Sequence, residues 1–548
     1  MKKIIIACLL TVFVMPSCLD VNPAGRYGDE EIWASIRNLD FNVKSFYSDV
    51  LYNINVSELA YPGVLSDGYS DLLKYTRYQD GNFANRLFSV VNYLSEENAL
   101  SPWDSYYSNI KKLNDFLISV NNGNGDNLDP DELSVRVAEI RFLRAFLYQD
   151  LVIRHGGVIL RIDETKLDGP EEAQKARSSA DECWTFIIQE YEKAAEVLPE
   201  TWTEYGRLTK GAAWGMLARA ALYAGRWDQA ITAAKKVEEL ASKGVYELVS
   251  NYASIFTTAN NKELIIPVYY SADNGHQFDA AACPSGDQQV LGTVYIGGLV
   301  SPTDEFASSY DIKVGGVWQP FSWTDVSKGT ITDPWTNRDV RFYQTILYNG
   351  ASWRGRDLQL YVDGQDGFLQ YSESGNEAMR RSVTGYAVRK FLSTTIDYSS
   401  VNKSSQYWIE MRYAEIILIL SEAYARKNDF AKAYEYLNKI RTRAQLPDLS
   451  QRSLWENYLT DLQKERICEL GLEGHRFWDL RRWGITDQVL QGARTHGVKI
   501  TKSGTAYTYE RVEADVKDRL FPEKYNIFPI PYTEVRRNTL CIQDAIWR

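Results

Sequence analysis

Helical periodicity is the strongest signal along this chain, and it comes in pairs. Ala221-Leu-Tyr-Ala-Gly225-Arg-Trp227-Asp-Gln-Ala230 aligns without gaps on Tyr424-Ala-Arg-Lys-Asn428-Asp-Phe430-Ala-Lys-Ala433. Each stretch reads as the end of one helix, a turn at Gly or Asn, an aromatic wedge two positions on, and a second helix. Gly and Asn tolerate the left-handed backbone that such a turn needs. Small Ala at the crossing lets the helices approach closely, and the aromatic fills the gap between hairpins. Further helices are marked by their ends. Asp129-Pro130-Asp131-Glu132 supplies an N-cap, a Pro at the first helical position and a Glu at the third, opening a helix through Ile140, Leu143, Ala145 and Tyr148. Another, around Cys183 to Val197, stops at Pro199, and a last one runs from Leu454 to Leu470 and ends at Gly471. The helical spacing of Trp103, Tyr107, Ile110 and Leu113 predicts core packing for Trp103.

The paired units resemble the tetratricopeptide helix hairpin. Between them, residues 260–400 change character: Gly, Asn, Asp, Ser and Trp dominate. Short alternating runs such as Glu263-Leu-Ile-Ile-Pro-Val-Tyr269 and Gly385-Tyr-Ala-Val-Arg-Lys-Phe391 read as strands. Residues 55–110 are similarly irregular and aromatic. The expected fold is mainly α: a tetratricopeptide-like scaffold, mainly 130–255 and 405–485, with large loop-rich insertions carrying short β-strands. Loops on such a frame are where binding residues concentrate.

The N-terminus carries an address. Lys2 and Lys3 precede the apolar run Ile4 to Val14, then Met15-Pro16-Ser17-Cys18. This describes a secretion signal, too short to span a bilayer, which takes about 20 residues. Cys after a small residue resembles the lipobox of bacterial lipoproteins, with Met15 in place of the more usual Leu; the alternative is ordinary secretory cleavage beside an incidental Cys. The expected organisation is therefore a signal peptide over 1–17, a lipidation site at Cys18, and one domain over 18–548. Cys183, Cys283, Cys468 and Cys541 are far apart, with no C-x-x-C, which reads as buried free thiols or at most one disulfide.

Lys and Arg total 61 against 72 Asp and Glu, a net charge of −11. That argues against nucleic acid or an anionic membrane surface as the main partner. Tyr (36) and Trp (15) are abundant, and both join an apolar face to a polar edge, which suits amphipathic ligands as well as helix seams. Catalytic motifs are missing: there is no G-x-S-x-G, no H-E-x-x-H and no phosphate loop. Asn122-Gly-Asn-Gly-Asp126 reads as a turn; its carboxylates do not fall at EF-hand offsets. His475, within Glu473-Gly-His-Arg-Phe-Trp-Asp479, reads as a packing histidine. No cofactor or metal is expected.

Three segments carry a wider resemblance. Arg412-Tyr-Ala-Glu-Ile-Ile-Leu-Ile-Leu-Ser-Glu-Ala423, then Glu465-Arg-Ile-Cys-Glu-Leu-Gly-Leu-Glu-Gly-His-Arg-Phe-Trp-Asp-Leu-Arg-Arg-Trp-Gly484, then Phe528-Pro-Ile-Pro-Tyr-Thr-Glu534 with Asn538 resemble the SusD/RagB family of outer-membrane nutrient-binding lipoproteins. Cys18-Leu-Asp-Val-Asn-Pro23 and Arg141-Phe-Leu-Arg-Ala-Phe-Leu-Tyr148 extend the match over most of the mature chain. The tail departs: the family often ends Gln-Asn-Pro-Gly-Tyr, where this chain has Gln543-Asp-Ala-Ile-Trp547. These motifs are mostly scaffold. Arg412, Glu415 and Glu422 are expected to pair along helix faces, Glu465, Arg466 and Arg476 where the last helix meets its neighbour, and Phe477, Trp478 and Trp483 to fill apolar seams.

The resemblance implies a capture protein without catalysis, anchored by lipid to the outer membrane. It would pass oligosaccharide to a SusC-like TonB-dependent transporter; peptide ligands, or a surface glycoside hydrolase, are the alternatives. It places ligand contacts in loops, which here offer Tyr69, Tyr75, Tyr78, Phe278 and Tyr295 as an aromatic platform, with Asp67, Asp71 and Gln288 for rim hydrogen bonds. Packing under loops is the competing role for each ring. Trp318, Trp323, Trp335 and Trp353 lie just beyond. If Cys18 is the lipid site, Cys18→Ala should release folded protein from membranes; recovery of that variant in the outer-membrane fraction would refute anchoring.

Overall fold

The computed structural model describes residues 28–52, 66–75, 83–165, 169–287, 290–291, 294–295, 297–367, 381–396 and 404–548. Signal peptide, Cys18, Tyr78 and Gln288 lie outside these residues. The frame is a chain of packed helices: α1 (Ile36–Tyr47), α2 (Trp103–Asn121), α3 (Pro130–His155), α4 (Ala180–Val197), α5 (Lys210–Tyr223), α6 (Trp227–Ser242), α7 (Tyr413–Arg426), α8 (Phe430–Arg443), α9 (Trp455–Leu470) and α10 (Arg476–Trp483). Helices α1 and α2 pack on α3. From there α3 packs on α4, α4 on α5, α5 on α6, α6 on α7, and α7 on both α8 and α9.

Local chemistry explains the helix ends. The Asp129 carboxylate accepts from the Asp131 and Glu132 amides at 3.0 Å, with Pro130 beginning α3. Ser179 and Glu182 form a capping box at α4, and Thr209 and Asp429 cap α5 and α8. The two aligned units are the α5–α6 and α7–α8 hairpins. Their turns hold Gly225 at φ 72° and Asn428 at φ 62°. Ala221, Ala230, Ala233 and Ala234 are buried at the first crossing. Asn122–Asp126 is a turn, with Gly123 and Gly125 both left-handed.

Strands are short and occur in pairs: β1 (Leu73–Tyr75), β2 (Leu264–Val268), β3 (Val300–Pro302), β4 (Trp408–Arg412), β5 (His496–Ser503) and β6 (Ala506–Glu513). β1 pairs with β3, β2 with β4, and β5 with β6, all antiparallel. The insertion 260–400 is therefore stitched to the scaffold by β2–β4. The sequence reading differs in three places. The helix at Trp455–Leu470 is not the last, because Gly471 ends it and α10 follows after a tight turn. Helix α1 and the β5–β6 hairpin were not anticipated; β6 is mostly exposed, so it lacks the apolar alternation that marks a half-buried strand. Among the described residues no helix is long and apolar enough to cross a membrane, and Cys183, Cys283, Cys468 and Cys541 are buried free thiols.

Arg412, Glu415 and Glu422 do not pair along helix faces as expected but with partners from other elements, and Glu465, Arg466 and Arg476 pair across elements as expected. Arg412 binds Glu263, Glu469 and Glu473; Glu415 binds Arg219, and Glu422 binds Arg482. Glu465 binds Arg341 and Arg441, Arg466 binds Asp479, and Arg476 binds Asp71. A helix face only reaches i+3 or i+4, whereas these partners come from other segments, several of which the fold brings to the α9 C-terminus. Glu469 meets three guanidiniums there: Arg412 at 2.6 Å, Arg341 at 3.1 Å, and Arg443. Glu469→Gln should destabilise the protein by about 3–5 kcal/mol, because it leaves buried cations uncompensated. Lys111→Ala, removing an exposed pair with Asp115, should change stability by under about 0.5 kcal/mol. Chemical denaturation of both variants checks the contrast.

Candidate functional site

The start of α2 meets the end of α3, the α10 helix and the Phe528–Tyr532 segment around a cleft of about 1090 Å³. His155, at the end of α3, fastens the walls together. Its Nδ1–H donates to the Phe528 carbonyl at 3.1 Å, and its Nε2 accepts from Ser101 Oγ at 2.6 Å. Burial pushes its pKa down to about 3, so the ring stays neutral and keeps one donor and one acceptor. The Trp103 ring stands edge-on to it at 5.1 Å. Trp478 packs against Phe477 (5.0 Å) and Phe528 (6.2 Å), with the Arg154 guanidinium 4.9 Å from its ring centre. Tyr532 joins the opposite wall through its amide, which donates to the Glu96 carbonyl at 2.9 Å, and its side chain is 44% exposed. Glu96, Glu97, Asn98, Asp104 and Asn109 supply polar groups around these rings.

Asp67, Tyr69 and Asp71 come together beneath this cleft, against the start of α10. Tyr69 lines the cleft but is 9% exposed and packs edge-on to Phe477 at 5.6 Å. Asp67 accepts from the Gly474 amide (3.2 Å) and the Arg476 amide (3.3 Å). Burial outweighs these bonds and raises its pKa to about 6. Burial also works against charge on Asp71, but Arg476 grips it with two bonds of 2.8 and 3.0 Å and lowers its pKa. Tyr75 sits in β1 at 1% exposure, and Phe278 is 3% exposed and edge-on to Phe391 at 6.5 Å. Neither ring offers a face to solvent. Strand pairing buries the first, and the second lies in the short helix Phe278–Ala282 packed within the insertion. Tyr295 is a strand residue whose backbone pairs with Val290.

The neighbouring tryptophans are mainly structural. Trp323 and Trp353 donate to Asp304 (2.7 Å) and Asp287 (2.6 Å), and Trp335 stacks on Tyr348. His475 is mostly buried at the start of α10, with 13% of its side chain exposed, 3.9 Å from Glu415, and burial lowers its pKa to about 4. Among the described residues no cluster of His, Cys, Asp or Glu could hold a metal ion. Residues that sequence reasoning did not place at a site are Glu96, Asn98, Arg154, Trp478 and Tyr532. Trp478 and Tyr532 do fall within the quoted motifs, which was the available signal. The others carry none, since segments far apart in sequence make the cleft.

Stacked helix hairpins carrying loop insertions, with an aromatic cleft rimmed by carboxylates and amides, define a helical scaffold of the tetratricopeptide type. The chain belongs to the SusD family, whose model matches residues 262–547; a second model, described as starch-binding associating with outer membrane, matches 61–222. It is similar to SusD-like protein P25 of Formosa agariphila, with 24% identity over 520 residues, covering 89% of this chain and 91% of the relative. Among solved structures, a SusD-like protein of Bacteroides fragilis superposes with a TM-score of 0.78 at 26% identity, covering 94% of this chain and 98% of that one. A SusD-like carbohydrate binding protein of the same organism gives 0.75 at 25%, covering 93% and 100%.

Asp67 gives this region a pH signature. Its folded pKa of about 6 lies above the ordinary 3.8, so its contribution to stability is complete below pH 3.8 and is lost as pH rises through 6. Asp67→Asn should remove that slope, gaining on wild type by about 3 kcal/mol between pH 4 and 7. Melting curves across that range test it; parallel pH profiles would refute the assignment.

Proposed function

We propose that this protein is a surface capture protein that binds oligosaccharide in the 1090 Å³ cleft and hands it on without chemical change. The carrying observation is the composition of the cleft. Tyr532 and Trp478 supply ring surface, while Asn98, Glu97, Asp104 and Asn109 stand beside them. Sugar rings present C–H patches to aromatic planes and hydroxyls to acids and amides. Family membership and the carbohydrate-binding relative support the same reading. Lipidation at Cys18 would hold the protein at the outer membrane, and a TonB-dependent β-barrel transporter would receive the ligand. Tyr69 enters this reading as part of the cleft wall, and Asp67 as a support behind it, bonded to Gly474 and Arg476. Tyr75 and Phe278 support it from the core.

A capture protein must release its cargo, so a Kd between micromolar and millimolar is expected, about −8 to −4 kcal/mol. Titration calorimetry against a panel of oligosaccharides should find such binding. Tyr532→Ala should weaken it several-fold, by about 1 kcal/mol or more, with stability changed by under about 0.5 kcal/mol because the side chain is half exposed. Tyr69→Ala should instead lower the melting temperature, by about 3 kcal/mol of stability. A ligand bound equally by wild type and Tyr532→Ala would move the site elsewhere, and cleavage products after incubation would favour a hydrolase.

A further inference from the structure

A small inner chamber of about 110 Å³ adjoins the cleft, sharing Ser66, Tyr106, Arg154 and Trp478 with it. Its polar groups are incompletely matched. Trp408 and Gln149 are each 4% exposed and line the chamber, and among the described residues neither the Trp408 Nε1–H nor the Gln149 Oε1 has a hydrogen-bond partner. Asp150 Oδ2, also buried there, has none either. Buried polar atoms are nearly always paired, so three of them on residues that line one small chamber point to an occupant.

The charges around it are already balanced. Asp150 pairs with Arg154, Glu410 with Arg219 at 2.5 Å, and Glu473 with Lys390 at 2.6 Å and Arg412 at 2.8 Å. His475, on the same wall, is held neutral by burial. An ion would upset this balance, so the occupant is uncharged. One hydroxyl can accept from the indole and donate to either the amide oxygen or the carboxylate, and a second hydroxyl or a water meets the remaining acceptor. The volume equals that of three or four water molecules at about 30 Å³ each. That is small for a sugar ring and sufficient for a hydroxymethyl arm or a three-carbon polyol.

We propose that this chamber is a subsite for a small uncharged hydroxyl-bearing group, the hydroxymethyl arm of a sugar whose ring lies in the cleft. The identity of that natural ligand rests on the oligosaccharide reading above; the chamber's own chemistry does not. The test uses glycerol as the probe and protein labelled with 5-fluorotryptophan, whose Trp408 ¹⁹F line is assigned by its loss in Trp408→Phe. Glycerol should move that line saturably in wild type, with half-saturation in the millimolar range, and at least tenfold more should be needed in Gln149→Leu. If Gln149→Leu fails to fold, Gln149→Met makes the same comparison. A line that drifts linearly, or saturates identically in the Gln149 variant, overturns the subsite and leaves ordered water as the occupant. Because glycerol replaces the oligosaccharide here, failure of the chamber is read separately from failure of oligosaccharide binding in the cleft.

Discussion

The Arg412 guanidinium commits every N–H to a buried acceptor: Nε and Nη2 to Glu473 (both 2.8 Å), Nη1 to Glu263 and Glu469 (both 2.6 Å), and Nη2 also to the Glu469 carbonyl (2.6 Å). Around it, Arg341 ties Asp339 to Glu465 and Glu469, and Lys390 ties Glu473 to the Gly471 carbonyl at 2.8 Å. Each of these ions carries a desolvation cost of several kcal/mol, which is offset only when geometry and hydrogen bonding are complete. Burial alone would push the Glu473 carboxyl up, yet Arg412 and Lys390 together hold it at about 2. Burial draws Lys390 down to about 8 despite Glu473, so the cluster holds together across neutral pH. Its members come from the insertion (Asp339, Arg341, Lys390) and from the scaffold (Arg412, Arg443, Glu465, Glu469), so it is the joint between them.

That joint positions the cleft. Glu473 is fixed by two cations, and the next residue, Gly474, turns at φ 79° and donates to Asp67. Arg476 then clamps Asp71, α10 begins, and Trp478 arrives at the cleft wall with Arg154 over its ring. On the far side, neutral His155 holds the Ser101 loop to Phe528. The aromatic wall is therefore set by polar groups behind it, and ring orientation is inherited from the ionic cluster through one short turn. A site held in this way is largely pre-formed, which limits the ordering cost of binding.

Part of the molecule was legible without coordinates because the deciding interactions are local. The Asp129 cap, the Gly225 and Asn428 turns, the alanines at the hairpin crossing and the stop at Gly471 each involve residues within a few positions of one another. The motif around Glu465–Gly484 was legible as scaffold, and Trp103 as core. Less was legible at the site. Of Asp67, Tyr69 and Asp71 only Tyr69 lines the cleft, and it is buried against Phe477, while the two aspartates are bonded to Gly474 and Arg476 behind it. The family resemblance places Phe278 on the same platform, whereas a short helix packs it against Phe391.

By itself the sequence determined the helix hairpins, their caps and turns, the family and the supply of aromatic and acidic side chains. Periodicity, capping and left-handed turn residues act over three or four positions and need no tertiary context. Only the tertiary structure decided which carboxylate each arginine meets and which aromatics share the cleft. Arg412, the last residue of β4, could have met Glu415 three positions on in α7, yet it meets Glu473 and Glu263. The choice depends on burial and on the contact of segments hundreds of residues apart, such as Glu96 with Tyr532 and Ser66 with Gly474. A low-dielectric interior makes those pairings strong only once the chain has closed around them.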